Sequence, residues 1–69
     1  MKLSARNQIQ ATVLDITKGE ATANVGLDAC GSRLVASITV EAAEELKLEP
    51  GSQVTVVIKA SDVILAVAD

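Results

Sequence analysis

The sequence predicts an all-β fold with one short helix, arranged as a five-stranded OB-type barrel. Short segments in which apolar and polar residues alternate with a period of two indicate half-buried strands, and turn residues separate these segments. The segment after the third predicted strand instead has the capping and charge pattern of a helix. Five strands with a helix between the third and the fourth is the order of elements in an OB-type barrel, whose helix would plug one end.

The first predicted strand covers residues 8–16, where apolar side chains alternate with polar ones as far as Val13. Leu14 and Ile16 then fall on the opposite face of the strand. Either a bulge shifts the register at this point, or the second face of the strand is covered as well.

The next two predicted strands cover residues 21–27 and 33–38, and each follows a turn. The first turn contains Gly19, which can adopt a positive φ, and the second spans residues 28–32. Alternation places these residues on the inward face: Ala21, Ala23, Val25, Leu27, Leu34, Ala36 and Ile38.

A short helix is predicted from an N-cap at Thr39 to about Lys47. Glutamates lie early in this segment, where the helix dipole favours negative charge. Its partly apolar stripe consists of Val40, Ala43, Leu46 and Lys47. Pro50 and Gly51 then end the helix and turn the chain.

The fourth predicted strand covers residues 52–59, with Val57 interrupting its polar face, and the fifth covers residues 63–67. The fifth segment is entirely apolar, which is typical of a strand that is buried on both faces. A lone small barrel has no second layer to cover the outer face. The fifth strand therefore indicates burial against another copy of the chain.

The chain has 69 residues, and we expect residues 1–69 to form a single domain. Domains of this size usually need disulfides, a metal or a partner chain for stability. Cys30 is the only cysteine and histidine is absent, which excludes an internal disulfide and argues against a zinc site. Because 49% of the residues are hydrophobic although none is aromatic, we interpret the surplus as area buried between copies. The alternative is an ordinary small-residue core with scattered exposed alanines.

The formal net charge of −3 disfavours nucleic-acid binding, because contacts to phosphates need clustered Lys and Arg. An OB-type surface that binds single strands also relies on aromatic stacking, which this chain cannot provide. No apolar run approaches a membrane span, and residues 1–4 contain nothing that resembles a signal peptide. We therefore expect a cytoplasmic protein, in keeping with its single cysteine. Catalysis is not expected, since histidine and tyrosine are absent and Cys30 has no evident activating base.

Two polar clusters remain as candidates for a binding site. The N-terminal cluster, before the first strand, consists of Ser4, Ala5, Arg6 and Asn7. The Lys59 cluster, between the fourth and fifth strands, consists of Lys59, Ala60, Ser61 and Asp62. Hydroxyls, backbone N–H groups and one or two cations are the donors that a small oxyanion needs. From chemistry alone the simpler alternative is favoured: a solvated N-terminal arm and a strand-end charge, with Asp62 capping its own turn.

At these two clusters the sequence resembles the molybdenum-pterin-binding (Mop) domain family, the molbindins. The resemblance rests on Ser-Ala-Arg-Asn-Gln at residues 4–8 and on Lys-Ala-Ser-Asp-Val at residues 59–63. Ser-Ile-Thr at residues 37–39 and Glu-Glu-Leu-Lys-Leu-Glu-Pro-Gly at residues 44–51 are similar to the segments that enter and leave the family's helix. The resemblance covers about residues 3–67, nearly the whole chain.

This resemblance implies a five-stranded OB-type barrel that assembles as a homohexamer, a trimer of dimers. Free-standing members of the family bind molybdate or tungstate at subunit interfaces and serve the intracellular storage or homeostasis of molybdenum or tungsten. The oxyanion would be the bound ligand, with no organic cofactor and no metal held directly as a cation. The sequence does not choose between molybdate and tungstate, which have the same charge and nearly the same size.

The resemblance also implies the residues of the main anion site. Ser4 and Arg6 would come from one subunit. Thr39, Lys59 and the backbone N–H of Ala60 would come from a neighbour. Arg6 would act through its backbone N–H, its guanidinium, or both.

One position departs from the family's pattern, since Ala42 stands where other members can carry a serine. If that serine supplies a hydroxyl, this site has one donor fewer; if it supplies only an N–H at the helix start, Ala42 does equally well. For the family's second class of site, near threefold axes, Lys18 and Gly19 are candidates.

Two other functions stay open at this point. One is a protein–protein interaction module with no ligand, in which both clusters are structural. The other is a molybdopterin carrier, against which the absence of an aromatic residue to stack a pterin argues.

Overall fold

A computed structural model describes residues 4–69; residues 1–3, part of the N-terminus considered for a signal peptide, lie outside the described residues. The elements, in chain order, are β1 (Asn7–Lys18), β2 (Thr22–Ala29), β3 (Ser32–Thr39), α1 (Val40–Glu45), β4 (Gln53–Ile58) and a 3-10 turn (Ala60–Asp62). The prediction of an all-β fold with one short helix is confirmed. No helix within residues 4–69 is long and apolar enough to cross a membrane.

The four strands form one antiparallel sheet in the order β3-β2-β1-β4. β1 is the longest strand, and its two halves have different partners. Residues from Thr12 to Lys18 pair with β2, whereas residues from Asn7 to Thr12 pair with β4. β3 and β4 are consequently the two edges of the sheet, and within residues 4–69 no strand joins them into a closed barrel.

A β-bulge at Leu14 explains the break in the alternation of β1. Val13 pairs with Leu27 and Asp15 with Gly26, so Leu14 has no partner on β2. The extra residue returns Ile16 to the inner side of the sheet, where it packs against the core. Of the two explanations for the break, the bulge is therefore confirmed.

The core is built from small and β-branched side chains. Val13 and Val25 are the largest side chains that are fully buried, and smaller residues fill the space around them. The buried hydrophobic residues are Ala11, Val13, Ala23, Val25, Leu27, Ala29 and Ala43. The inward-facing residues predicted for β3 pack against this core, whereas Ala21 lies before β2 and is exposed.

α1 begins at the predicted N-cap, where the Thr39 hydroxyl accepts a hydrogen bond of 3.0 Å from the Ala42 N–H. The helix ends at Glu45, two residues earlier than predicted, because Lys47 adopts a φ of 54°. The N–H of Lys47 bonds to the carbonyl of Glu44, and that of Leu48 bonds to Ala43, which is the Schellman pattern of a helix end.

The predicted fifth strand is wrong for the single chain. Residues 63–67, which we call the apolar tail, form no strand, and Ile64, Leu65 and Val67 are 92%, 88% and 91% exposed. A strand exists only where a second backbone pairs with it, and the tail leaves the 3-10 turn without lying along either edge of its own sheet. The burial that we expected for both faces of residues 63–67 does not occur within a single chain, as far as residues 4–69 describe it.

The hairpin between β2 and β3 yields a first prediction. Cys30 and Gly31 have φ values of 54° and 89°, as a type I′ turn requires, and the carboxylate of Asp28 accepts from the Gly31 N–H at 3.0 Å. Asn tolerates the left-handed region better than Cys does. We expect Cys30→Asn to raise the free energy of unfolding by about 0.5 kcal/mol, measured by urea denaturation at fixed protein concentration. Cys30→Val is the control and should be destabilised; a Val variant as stable as the Asn variant would contradict the turn assignment.

The cap of α1 yields a second prediction. Thr39→Ala removes the acceptor for the Ala42 N–H and should lower the free energy of unfolding by about 1 kcal/mol. Thr39→Ser keeps an acceptor at the same place and serves as the matched control in the same denaturation experiment. Equal losses in the two variants would show that the hydroxyl does not stabilise the helix.

Candidate functional site

The pairing of β1 with β4 brings the two polar clusters together. Asn7 is opposite Ile58 in this pair, so the residues just outside the two strands, Arg6 and Lys59, leave the sheet side by side. A depression of about 240 Å³ forms there, lined by Ser4, Ala5, Arg6, Lys59, Ala60 and Ser61. Six of the residues predicted for the site thus meet within one chain, whereas the resemblance implied that Lys59 would reach Ser4 and Arg6 from a neighbouring subunit.

Two side-chain amides form hydrogen bonds beside the part of the depression that is lined by Ser4, Ala5 and Arg6. The Gln8 amide donates to the carbonyl of Ala5 at 3.3 Å, which holds the segment before β1 in place. The Asn7 amide donates to the carbonyl of Ile58 at 3.2 Å, across the β1–β4 pair. Asn7 therefore links the start of β1 to the end of β4 next to the depression, and it does not line the depression.

The opposite wall is the 3-10 turn. The N–H of Asp62 bonds to the carbonyl of Lys59 at 2.9 Å, and the N–H of Val63 bonds to that of Ala60 at 3.3 Å. The first N–H groups of a helical turn have no partner inside it, so those of Ala60 and Ser61 are left to donate outward. Asp62 closes the turn through its backbone; among the described residues its carboxylate accepts no hydrogen bond, so the predicted side-chain cap is not formed.

The two charged residues that line the depression, Arg6 and Lys59, are both positive, and Asp62 follows the lining residue Ser61 without being part of the lining. Within residues 4–69 the only ion pair joins Arg33 to Asp15 at 3.5 Å, on a different part of the sheet. Arg6 and Lys59 therefore have no acidic partner in the described chain, and both are exposed. Two cations, the hydroxyls of Ser4 and Ser61, and free N–H groups form a set of donors suited to a small anion.

Thr39 and Ala42 lie at the far end of the sheet. Thr39 pairs with Thr22, near the end of β1 that carries Lys18, whereas Arg6 precedes the other end. At ~3.3 Å per residue, β1 separates these ends by on the order of 30 Å. Only a second chain could bring Thr39 to the depression. The Ala42 N–H is already bonded to the Thr39 hydroxyl, which retains its own proton for donation.

The second predicted site, at Lys18 and Gly19, lies at this same far end. The N–H of Gly19 is bonded to the carbonyl of Thr22 at 2.8 Å, so it closes the β1–β2 turn. Lys18 is exposed. This site stays a prediction, in which Lys18 would be the available donor.

Sequence reasoning missed an apolar groove between the two sheet edges. The groove has a volume of about 230 Å³, and its lining includes Ala36, Ile38, Leu46, Leu48, Val54 and Val56. The signal for it was present, because Leu46 and Leu48 flank the helix end without an evident partner. Across residues 4–69, no group of three or more His, Cys, Asp or Glu side chains could hold a metal ion.

Comparison with known proteins places these features in a family. The TOBE domain model matches residues 3–65. The chain is 39% identical over 66 residues to molybdenum-pterin-binding protein 1 of Clostridium pasteurianum, covering 94% of this chain and 97% of that protein.

Two solved structures have the same fold. A molybdate-binding protein from Sporomusa ovata superposes with a TM-score of 0.91 at 41% identity, over 96% of this chain and 98% of that one. The cytoplasmic molybdate-binding protein ModG, in a crystal form with molybdate bound, superposes with a TM-score of 0.92 at 43% identity, over 99% of this chain and 49% of that one. The chain therefore belongs to the TOBE domain family, and its similarity to these molybdenum-pterin-binding (Mop) proteins extends over nearly all of the sequence.

Proposed function

We propose that this chain, as one domain over residues 1–69, binds molybdate or tungstate and serves the intracellular storage or homeostasis of the metal. The observation that carries this proposal is the depression in which Arg6 and Lys59 meet without an acidic partner. Relatives of nearly the same length are named for molybdenum or molybdate binding. A cytoplasmic location and the absence of catalysis are part of the proposal.

The anion would be held by donors alone. Arg6 and Lys59 supply charge-assisted hydrogen bonds, the hydroxyls of Ser4 and Ser61 turn toward the oxygens, and the N–H of Ala60 donates from the 3-10 turn. Ala5 has no donor side chain and contributes only to the lining of the depression. A tetrahedral dianion offers only hydrogen-bond acceptors. The residues that line the depression include two cations and no carboxylate, which matches the charge of the dianion.

We further propose a homohexamer, a trimer of dimers, in which copies share the site. Three observations support self-association: the exposed apolar tail, the apolar groove, and the unpaired edges of β3 and β4 on either side of that groove. A tail from another copy laid between these edges would supply the missing fifth strand of an OB-type barrel. Assembly is also what would bring Thr39 and Ala42 of a neighbour to the depression.

A pterin is the ligand that the relatives' names also suggest. The chain has no aromatic residue on which a pterin ring could stack. We therefore propose the bare oxyanion as the ligand. Elemental analysis together with ultraviolet absorbance of protein purified from its source distinguishes metal alone from metal with a pterin.

Calorimetric titration tests the oxyanion site. Molybdate or tungstate should produce saturable heat, and sulfate at equal concentration should produce none. Lys59→Ala and Arg6→Ala should each weaken binding by roughly tenfold or more, because each removes a hydrogen bond from a charged donor. Lys47→Asn is the matched control: it removes one positive charge at an exposed position whose φ of 54° Asn tolerates, and it should bind as the wild type does.

The outcomes of this titration separate the proposals. No heat with either molybdate or tungstate would refute oxyanion binding. Saturable binding that both the Arg6 and Lys59 variants retain unchanged would instead show that the two clusters do not form the oxyanion site.

Native mass spectrometry tests the assembly. The wild type should give a hexamer at micromolar concentration, and Leu65→Asp should give a monomer because it places a charge in the tail, which is exposed in the single chain and would be buried in the proposed assembly. Asn24→Asp adds the same charge on the outward face of β2 and should leave the hexamer intact. A wild-type monomer under these conditions would contradict the proposed assembly.

A further inference from the structure

We propose that Asn7 and Gln8 are positioning residues of the anion site: neither lines the depression, and each holds the peptide group that precedes one of its two cations. This inference rests on the proposed function. It assigns to the two side-chain amides a role in the affinity for the oxyanion, which they exert through the placement of Lys59 and Arg6.

The Asn7 amide holds the peptide group before Lys59. Its Nδ2 donates to the Ile58 carbonyl at 3.2 Å. A trans peptide group is planar and includes the Cα of the following residue, so holding this carbonyl also holds the Cα of Lys59. On the other side, the carbonyl of Lys59 accepts from the N–H of Asp62 at 2.9 Å. Both peptide groups that flank Lys59 are therefore hydrogen-bonded, which fixes the point where its side chain leaves the backbone.

The Gln8 amide holds the peptide group before Arg6. Its Nε2 donates to the Ala5 carbonyl at 3.3 Å, and this carbonyl lies in the same planar group as the Cα of Arg6. The register of β1 with β4 begins at Asn7, so Arg6 lies just outside the strand pairing. The hydrogen bond from Gln8 thus orders a segment that the sheet itself does not hold.

Asn7 and Gln8 act from opposite faces of the sheet, because successive side chains of a strand alternate between faces. Asn7 is half-buried and Gln8 is exposed. A hydrogen bond shielded from water is stronger than one in contact with it, so we expect Asn7 to contribute more. Two consecutive residues of β1 thus hold both segments, 4–6 and 59–61, that supply the donors of the depression.

Gln10 provides a matched control for Gln8. It lies on the same strand and the same face, it is also exposed, and its amide donates to the Thr55 hydroxyl at the same distance of 3.3 Å. That hydrogen bond joins two side chains and holds no peptide group of the depression. The two glutamines therefore differ in what their amides hold, and not in residue type, strand or exposure.

Calorimetric titration with molybdate tests the inference. Gln8→Ala should weaken binding roughly threefold and Asn7→Ala roughly fivefold, because the anion must then order the segments that the amides held. Gln10→Ala should bind as the wild type does. Native mass spectrometry checks that the variants compared have the same oligomeric state. If Gln8→Ala and Asn7→Ala both bind molybdate as Gln10→Ala does, the inference is overturned.

Double variants distinguish positioning from a general loss of stability. Because Gln8 acts through Arg6, Gln8→Ala should lose most of its effect on binding in the Arg6→Ala background and keep it in the Lys59→Ala background. Asn7→Ala should show the reverse dependence. A merely structural role gives losses that add in all four combinations, and additive losses would overturn the inference.

These measurements separate failure of the inference from failure of the proposed function. If the wild type binds no molybdate, the proposed function fails and the inference fails with it. If Arg6→Ala and Lys59→Ala weaken binding but Gln8→Ala and Asn7→Ala do not, only the inference is overturned. If Asn7→Ala does not fold, Gln8→Ala decides, because its exposed side chain can be removed without opening the core.

Discussion

The double pairing of β1 is the constraint on which the rest of the structure depends. One half of this strand pairs with β2 and the other half with β4, and the bulge at Leu14 lies in the half that pairs with β2. The β4 half brings Arg6 beside Lys59, and the β2 half places Val13 against Val25 in the core. Because one continuous strand connects core and depression, the site is supported by the most buried part of the molecule.

A core without aromatic rings has a second consequence. Alanine and valine fill little volume, so four strands and a six-residue helix enclose the centre of the sheet but leave a groove between β3 and β4. The same chain exposes an apolar tail whose aliphatic side chains match the lining of that groove in character. Both the open groove and the exposed tail favour association of copies, because removing apolar area from water contributes about 25 cal/mol per Å² before the entropic cost of association is subtracted.

The polar features of the molecule divide into two ends with different roles. At one end, Arg6 and Lys59 lack acidic partners and stand free for an anion. At the other end, the donors are largely committed: the Ala42 N–H caps α1, and the Gly19 N–H closes a turn. The proposed sharing of a site between copies would join the uncommitted end of one chain to the Thr39 hydroxyl of another, which still has a proton to donate.

Local patterns in the sequence determined most elements of this protein, and its tertiary structure decided how they meet. Alternation predicted β1 to β4, and the Thr39 cap predicted the start of the helix, because these signals act between residues close in the chain. The end of the helix was predicted two residues too late, because the positive φ of Lys47 ends it before Pro50-Gly51 is reached. The bulge was predicted only as one of two alternatives, since register depends on the partner strand. Two features could not be predicted: the meeting of residues 4–6 with residues 59–61 in one chain, and the exposure of residues 63–67. The first depends on strand pairing across more than fifty residues, and the second on the gap between β3 and β4, and both exist only in three dimensions. Composition indicated that the chain has more apolar residues than a small core needs. The tertiary structure decided where they lie: in the groove, in the tail, and at exposed positions of the sheet such as Leu14 and Val35.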